Sequence, residues 1–181
     1  MPYAIHLFFD SSTEKVIKSA WKQLADTSIA PYMHQSGNRP HFTLAIYQSL
    51  DLKQAEERIN IIASAQNPLS VDFAYIGFFP TIPGTIFLGS TVTNDLLGLH
   101  AQVHESMTQI GLNPDPYYLP GRWMPHCTLA LEIEPELTIK VLRVGLHIPL
   151  PIHGRIIEVG IIEFRPVKHL FRTRLVGEEG H

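Results

Sequence analysis

The sequence predicts an α+β chain in which strands and helices alternate through two similar halves. Two observations carry this. The stretch PHFTLA (Pro40 to Ala45) returns as PHCTLA (Pro125 to Ala130), identical at five of six positions and starting 85 residues later in a chain of 181. Such self-similarity marks an internal repeat. Around both copies, runs rich in β-formers lie between segments whose apolar residues recur at helical spacing. With 45% apolar residues and no low-complexity run among its scattered 14 Pro and 12 Gly, the chain is expected to fold as a single domain over residues 1–181.

The elements follow in order. YAIHLFF (Tyr3 to Phe9) reads as a strand ending at Asp10-Ser11-Ser12. Ser11 and Glu14 then have the spacing of a capping box, and Val16, Ile17, Ala20, Trp21 and Leu24 form the stripe of a first helix. The polar loop HQSGNRP leads into the first repeated strand, HFTLAIY. Asp51 with Gln54 forms a second cap, for a helix with Leu52, Ala55, Ile59 and Ile62 on one side. SVDFAYIGFFPTIPGTIFLGSTVT reads as two strands turning between Thr81 and Thr85, with Pro83-Gly84 as the breaker. A helix from Asn94 to Ile110, stopping at Gly111, carries Leu96, Leu99, His100, Val103, Met107 and Ile110 on one face. The second repeated strand follows, then a weaker helical segment, EPELTIKVLRVGLHIP, and a final strand pair, GRIIEVGIIEFRP and KHLFRTRLVG.

Charge and cysteine content narrow the function classes. Fourteen Lys+Arg against seventeen Asp+Glu give a net charge of −3, which argues against a surface gripping the phosphates of duplex DNA. The basic cluster of Arg165, Lys168, Arg172 and Arg174, with His169 among them, reads as a solvated strand edge, with a phosphate-facing rim as the alternative. A single cysteine, Cys127, excludes an internal disulfide and suits a reducing cytoplasm. No apolar run reaches ~18 residues, so a soluble cytoplasmic protein without a membrane partner is expected. The sequence carries no signal for an oligomeric state.

The repeated strands are where the chemistry gathers. Alternation along a strand puts His41, Thr43, Ala45 and Tyr47 on one face and Phe42, Leu44 and Ile46 on the other. The second copy sorts His126, Thr128, Ala130 and Glu132 from Cys127, Leu129, Leu131 and Ile133 in the same way. An imidazole and a hydroxyl from each of two strands suit attack on a small anion held between them. Histidine, with an unperturbed pKa of ~6.5, lets one copy be neutral while the other is protonated. A Thr two residues on, roughly 6.5 to 7 Å along the same face, is placed to hold a non-bridging phosphate oxygen.

Two H-x-T-L motifs, each preceded by Pro and followed by Ala, in a duplicated α+β chain resemble the two-histidine (2H) phosphoesterase superfamily, in its LigT-like branch of 2′-5′ RNA ligases and cyclic phosphodiesterases. The resemblance spans IHLFFD, HFTLAIY, the middle helix and RWMPHCTLALE. It implies two similar lobes, each a small antiparallel sheet with outer helices, around a central cleft. It further implies His41 and His126 as catalytic acid and base, Thr43 and Thr128 as phosphate-binding residues, and no metal or cofactor. The expected substrate is a small nucleotide or RNA end bearing a 2′,3′-cyclic phosphate, with reversible 2′-5′ ligation as a related activity. The alternative is a binding module that recognises phosphorylated or cyclic nucleotide ends without turnover.

Other residues are read against plainer roles. Arg122 is a candidate contact to ribose or phosphate. Tyr118 and Trp123, with Tyr117, Phe79 and Phe87, are candidates to stack on a base, although aromatic residues are more often core. His100 and His104, four residues apart beside Glu105, lack the order of a zinc helix, and packing is favoured over metal binding. Cys127, on the apolar face, is expected to be a buried, inert thiol.

Overall fold

A computed structural model describes residues 2–164 and 166–176, and the strands all pair antiparallel. The first strand, β1 (Tyr3–Phe9), leads to α1 (Ser11–Asp26), the short α2 (Tyr32–Gln35) and β2 (His41–Leu50). Next come α3 (Leu52–Ala65), β3 (Leu69–Phe79), β4 (Gly84–Ser90), α4 (Asn94–Met107) and β5 (Gly111–Pro114). A 3₁₀ turn at Pro116–Tyr118 precedes β6 (His126–Ile133), and α5 (Thr138–Gly145), β7 (Ile152–Glu163) and β8 (Lys168–Arg174) complete the order.

The sheet runs β5-β2-β1-β7-β3-β4-β6, with β8 also on β7. The two antiparallel sheets expected are thus two parts of one sheet, joined through β7. One edge of β7 carries β1 from Ile156 to Glu163, and the other carries β3 from Ile152 to Ile156 and then β8 from Glu158. The sheet curls until β2 and β6, far apart in its order, touch. Phe9, Phe42 and Phe73, from β1, β2 and β3, pack edge to face with centroids 5.0, 5.2 and 5.5 Å apart at the centre of the core.

The local signals are mostly obeyed. Asp51 accepts from the Gln54 amide at 3.1 Å while the Gln54 side chain donates back at 2.7 Å. The cap of α1 is Asp10 rather than Ser11: its carboxylate accepts from the amides of Ser12 and Thr13, both at 3.0 Å. Glu14, freed from capping, pairs with Lys18 and Arg39. α4 ends at Met107, three residues before Ile110, so that the chain can turn into β5. Leu112 to Pro114 carry no periodic signal, and β5 exists because its backbone pairs with Tyr47 to Leu50 at the end of β2. Among the described residues no helix is long and apolar enough to cross a membrane. Arg165 of the basic cluster lies outside the described residues; Lys168 pairs with Glu163 at 3.0 Å, and Arg172 and Arg174 are exposed on β8.

The strict alternation expected along the repeated strands breaks at the same place in each. In β2, His6 pairs with Thr43 but Ile5 pairs with Ala45, so Leu44 is an extra residue. In β6, Phe87 pairs with Thr128 but Ile86 pairs with Ala130, so Leu129 is extra. A bulge inserts one residue and re-aims the side chains beyond it. Ala45, Tyr47 and Ala130 therefore turn into the core instead of sharing a face with the histidines, and Ile46 and Leu131 turn to the other side. The Thr-Leu-Ala part of the repeated phrase is this bulge.

Candidate active site

Each histidine is fixed by the backbone just before it. The Nδ1–H of His41 donates to the Arg39 carbonyl at 2.5 Å, and that of His126 to the Met124 carbonyl at 2.7 Å. A carbonyl only accepts, so the neutral tautomer carries its proton on Nδ1 and its lone pair on Nε2. Arg39 and Met124 both precede proline, which restricts them to extended backbone. This accounts for the Pro-His half of the phrase: proline presets the carbonyl that orients the ring. The Arg39 side chain is itself pinned, by Glu14 at 2.7 Å and Glu158 at 2.5 Å, with its guanidinium 4.4 Å from the Phe8 ring centre. Nothing in the polar loop signalled that anchor, because both carboxylates are distant in sequence.

Two adjoining cavities meet at Ile46, Tyr118, Thr128 and Leu131. One, of about 290 Å³, holds His41 and Thr43 with His6, Tyr32 and Asn38. The other, of about 360 Å³, holds His126 with Phe79, Arg122 and Trp123. Both are of the size of small-ligand sites. All four motif residues therefore line one connected region, partly open to solvent. Arg122 is exposed at its margin, Tyr118 lines both cavities, and Tyr117 is 80% exposed. Trp123, expected as a base-stacking candidate, is only 8% exposed and stacks on His100 at 4.1 Å, although it still borders the cavity.

The chain has two tryptophans, and the structure gives them matching tasks that the sequence did not announce. Trp21 Nε1–H donates to the Thr128 carbonyl at 2.9 Å, and Trp123 Nε1–H to the Thr43 carbonyl at 2.8 Å. These carbonyls lie on stretches of β2 and β6 where the ladders leave one edge uncovered. His100 and His104 serve the same edge: Nε2–H of His104 donates to the Leu44 carbonyl at 3.1 Å, and that of His100 is shared between the Tyr118 carbonyl at 2.8 Å and the Leu44 carbonyl at 3.1 Å. Both are thus packing residues, and among the described residues no group of three or more His, Cys, Asp or Glu could hold a metal ion. Replacing either tryptophan by Phe keeps the ring but strands a buried carbonyl, and should lower stability in urea unfolding by about 1–3 kcal/mol. An unmoved midpoint would mean that water takes the place of the indole.

Burial pushes the His41 imidazole down to about 4; the Arg39 carbonyl opposes the fall, and nearby His126 and His169 add to it. His126 is also lowered by burial, against its bond to Met124. Cys127 is 1% exposed, and burial pushes its thiol up to about 12, which keeps it protonated.

The fold defines a class, that of chains built like LigT. E. coli LigT complexed with 3′-AMP superposes with a TM-score of 0.63 at 16% identity, over 97% of this chain and 99% of that one. TT0787 of Thermus thermophilus does so at 0.62 and 15%, over 99% and 100%. At such identities the likeness is one of fold. A family model for the 2′-5′ RNA ligase superfamily matches residues 10–164, and the chain belongs to that family, as a LigT-like 2H phosphoesterase. No curated protein matches the sequence significantly.

Proposed function

We propose that the protein is a metal-independent phosphodiesterase that opens 2′,3′-cyclic phosphates of nucleotides or RNA ends, with 2′-5′ ligation as the reverse chemistry. Its single domain is read as two pseudo-symmetric lobes, each supplying one histidine and one threonine. Water attacks phosphorus and gives a proton to one imidazole; the bond to one ribose oxygen breaks, and that oxygen takes a proton from the other imidazole. Thr43 and Thr128 donate to the non-bridging oxygens as charge builds on them. Arg122 and Tyr118 contact the nucleoside.

The observation that carries this reading is the matched pair of rings, each with Nδ1–H tied to a carbonyl two residues back and Nε2 left basic. E. coli LigT has been crystallised with 3′-AMP, NADP+, ATP and phosphate, which supports a small nucleotide as the ligand here. The test is turnover of 2′,3′-cyclic nucleotides in excess EDTA. Expected is a nucleoside monophosphate product and a bell-shaped dependence of kcat/KM on pH. Because burial lowers both imidazoles, the bell should lie to the acid side of ~6.5. Activity lost to EDTA and restored by one divalent ion overturns the mechanism. Tight nucleotide binding without turnover at any pH favours a binding module instead.

A further inference from the structure

A third histidine lies inside the candidate site. His6, on β1, is the register partner of Thr43, is 3% exposed and lines the His41 cavity. Its ring lies parallel to that of His41, centroids 3.7 Å apart and planes within 7°. Its Nδ1 is buried without a hydrogen-bond partner. A buried polar atom left unpaired costs about 1–3 kcal/mol, a cost that an apolar ring at this place would not carry. His126 is set differently: Phe79 lies nearly perpendicular to it at 5.1 Å, and Phe87 lies tilted to it at 5.2 Å. An aromatic ring within about 6 Å attracts a cation that lies over its face.

We propose that His6 is a positioning residue for His41: packed face to face, its uncharged ring holds the His41 plane and shuts water from one side, so that His41 enters the reaction as base and His126 as acid. The assignment rests on the two-histidine reading above. The proton taken from water passes to Nε2 of His41, and the leaving ribose oxygen takes its proton from His126.

The groups around His6 act in one direction. His41 faces it from β2 and His169, exposed on β8, lies near enough to disfavour its charge. From β7 its register partner is the uncharged Gly160. Arg39, against neighbouring Phe8, has its charge met by Glu14 and Glu158, so neither carboxylate is left to hold a proton on the imidazole pair. His6 is accordingly held well below ~6.5, by burial first and then by His41 and His169.

The test is the titration of His41 followed by NMR of labelled imidazoles, in wild type, His6→Phe and His6→Ala, beside the pH profile of kcat/KM. In His6→Ala the exposed face should raise the His41 midpoint by about one pH unit or more, and the acid limb of the profile should rise with it. In His6→Phe the cover remains and a cation-attracting ring replaces the imidazole, so the rise should be about half as large. The alkaline limb should stay in place in both. His6→Phe should be at least as resistant to urea as wild type while losing activity at low pH, a combination that a purely structural residue does not give. An unchanged His41 midpoint in the folded variants overturns the proposal, as does movement of the alkaline limb alone. If His6→Ala does not fold, His6→Phe decides. The NMR midpoint needs no turnover, so absence of cyclic-phosphate hydrolysis would remove the proposed function and still leave the coupling of His6 to His41 measured.

Discussion

His41→Ala and His126→Ala should each lower kcat on 2′,3′-cyclic nucleotides by about 10² to 10⁴, the usual worth of a positioned acid or base. The double variant should be far less than multiplicatively worse. In the proposed reaction one imidazole takes a proton while the other gives one, so once either is gone the survivor has little left to contribute. Thr43→Ala and Thr128→Ala should cost about 10- to 1,000-fold, since in the proposed reaction each removes a donor to the charge that develops on phosphorus oxygens. Both Thr carbonyls are held by indole N–H groups, so the strands should keep their place when the side chains are cut back. Single-turnover kinetics with circular dichroism separates lost chemistry from lost fold. A histidine variant with wild-type turnover would assign that residue to structure.

The second large effect is on stability, and it comes from the same rings. In the folded chain His6 and His126 are lowered from ~6.5, and His41 and His100 are pushed to about 4, in each case by burial above all. An unfolded chain binds protons at these positions below pH ~6.5, whereas the folded one resists until well below. Stability is therefore full above ~6.5, falls as the pH drops, and for His41 and His100 has been lost by about 4. For His100, 2% exposed, the loss is on the order of 3 kcal/mol. With several such rings, the urea midpoint should fall steeply between pH 7 and 4.5. Asp10, held below the usual carboxylate range by bonds from Ser12, Thr13 and Arg155 that outweigh its burial, acts only in a lower window, beneath ~4. A urea midpoint flat across pH 7 to 4.5 would mean that the imidazoles are already charged in the folded state.

What could be read from the sequence was whatever is encoded within about a dozen residues. The Asp51–Gln54 cap, the α1 stripe and both histidine strands are local patterns, and the structure has them. The bulges were invisible because Thr-Leu-Ala fits a straight strand equally well; they arise from pairing with Ile5–His6 and Ile86–Phe87. His6 looked like any polar interruption in YAIHLFF, since its meaning depends on a ring 35 residues later in the chain. Trp21 looked like part of an apolar stripe, and it is buried; only the structure shows its N–H reaching 107 residues away. The repeat itself held one more clue, now accounted for at each end of the phrase: proline aims the carbonyl that orients the imidazole, and Leu-Ala kinks the strand beyond the threonine.

The place of β7 bears on how the molecule is made. During synthesis β1 and β2 leave the ribosome first, yet the inner edge of β1 is paired by Ile156 to Glu163. β3 waits for the same strand, from Ile152 onward. The nascent chain thus carries two unpaired edges until more than four-fifths of its 181 residues have been joined. Such edges are templates for pairing with other chains. Each histidine can meet its ring neighbours within its own half, on β1 and β2 or on β3, β4 and β6, but the two halves become one sheet only after the last long strand has been delivered.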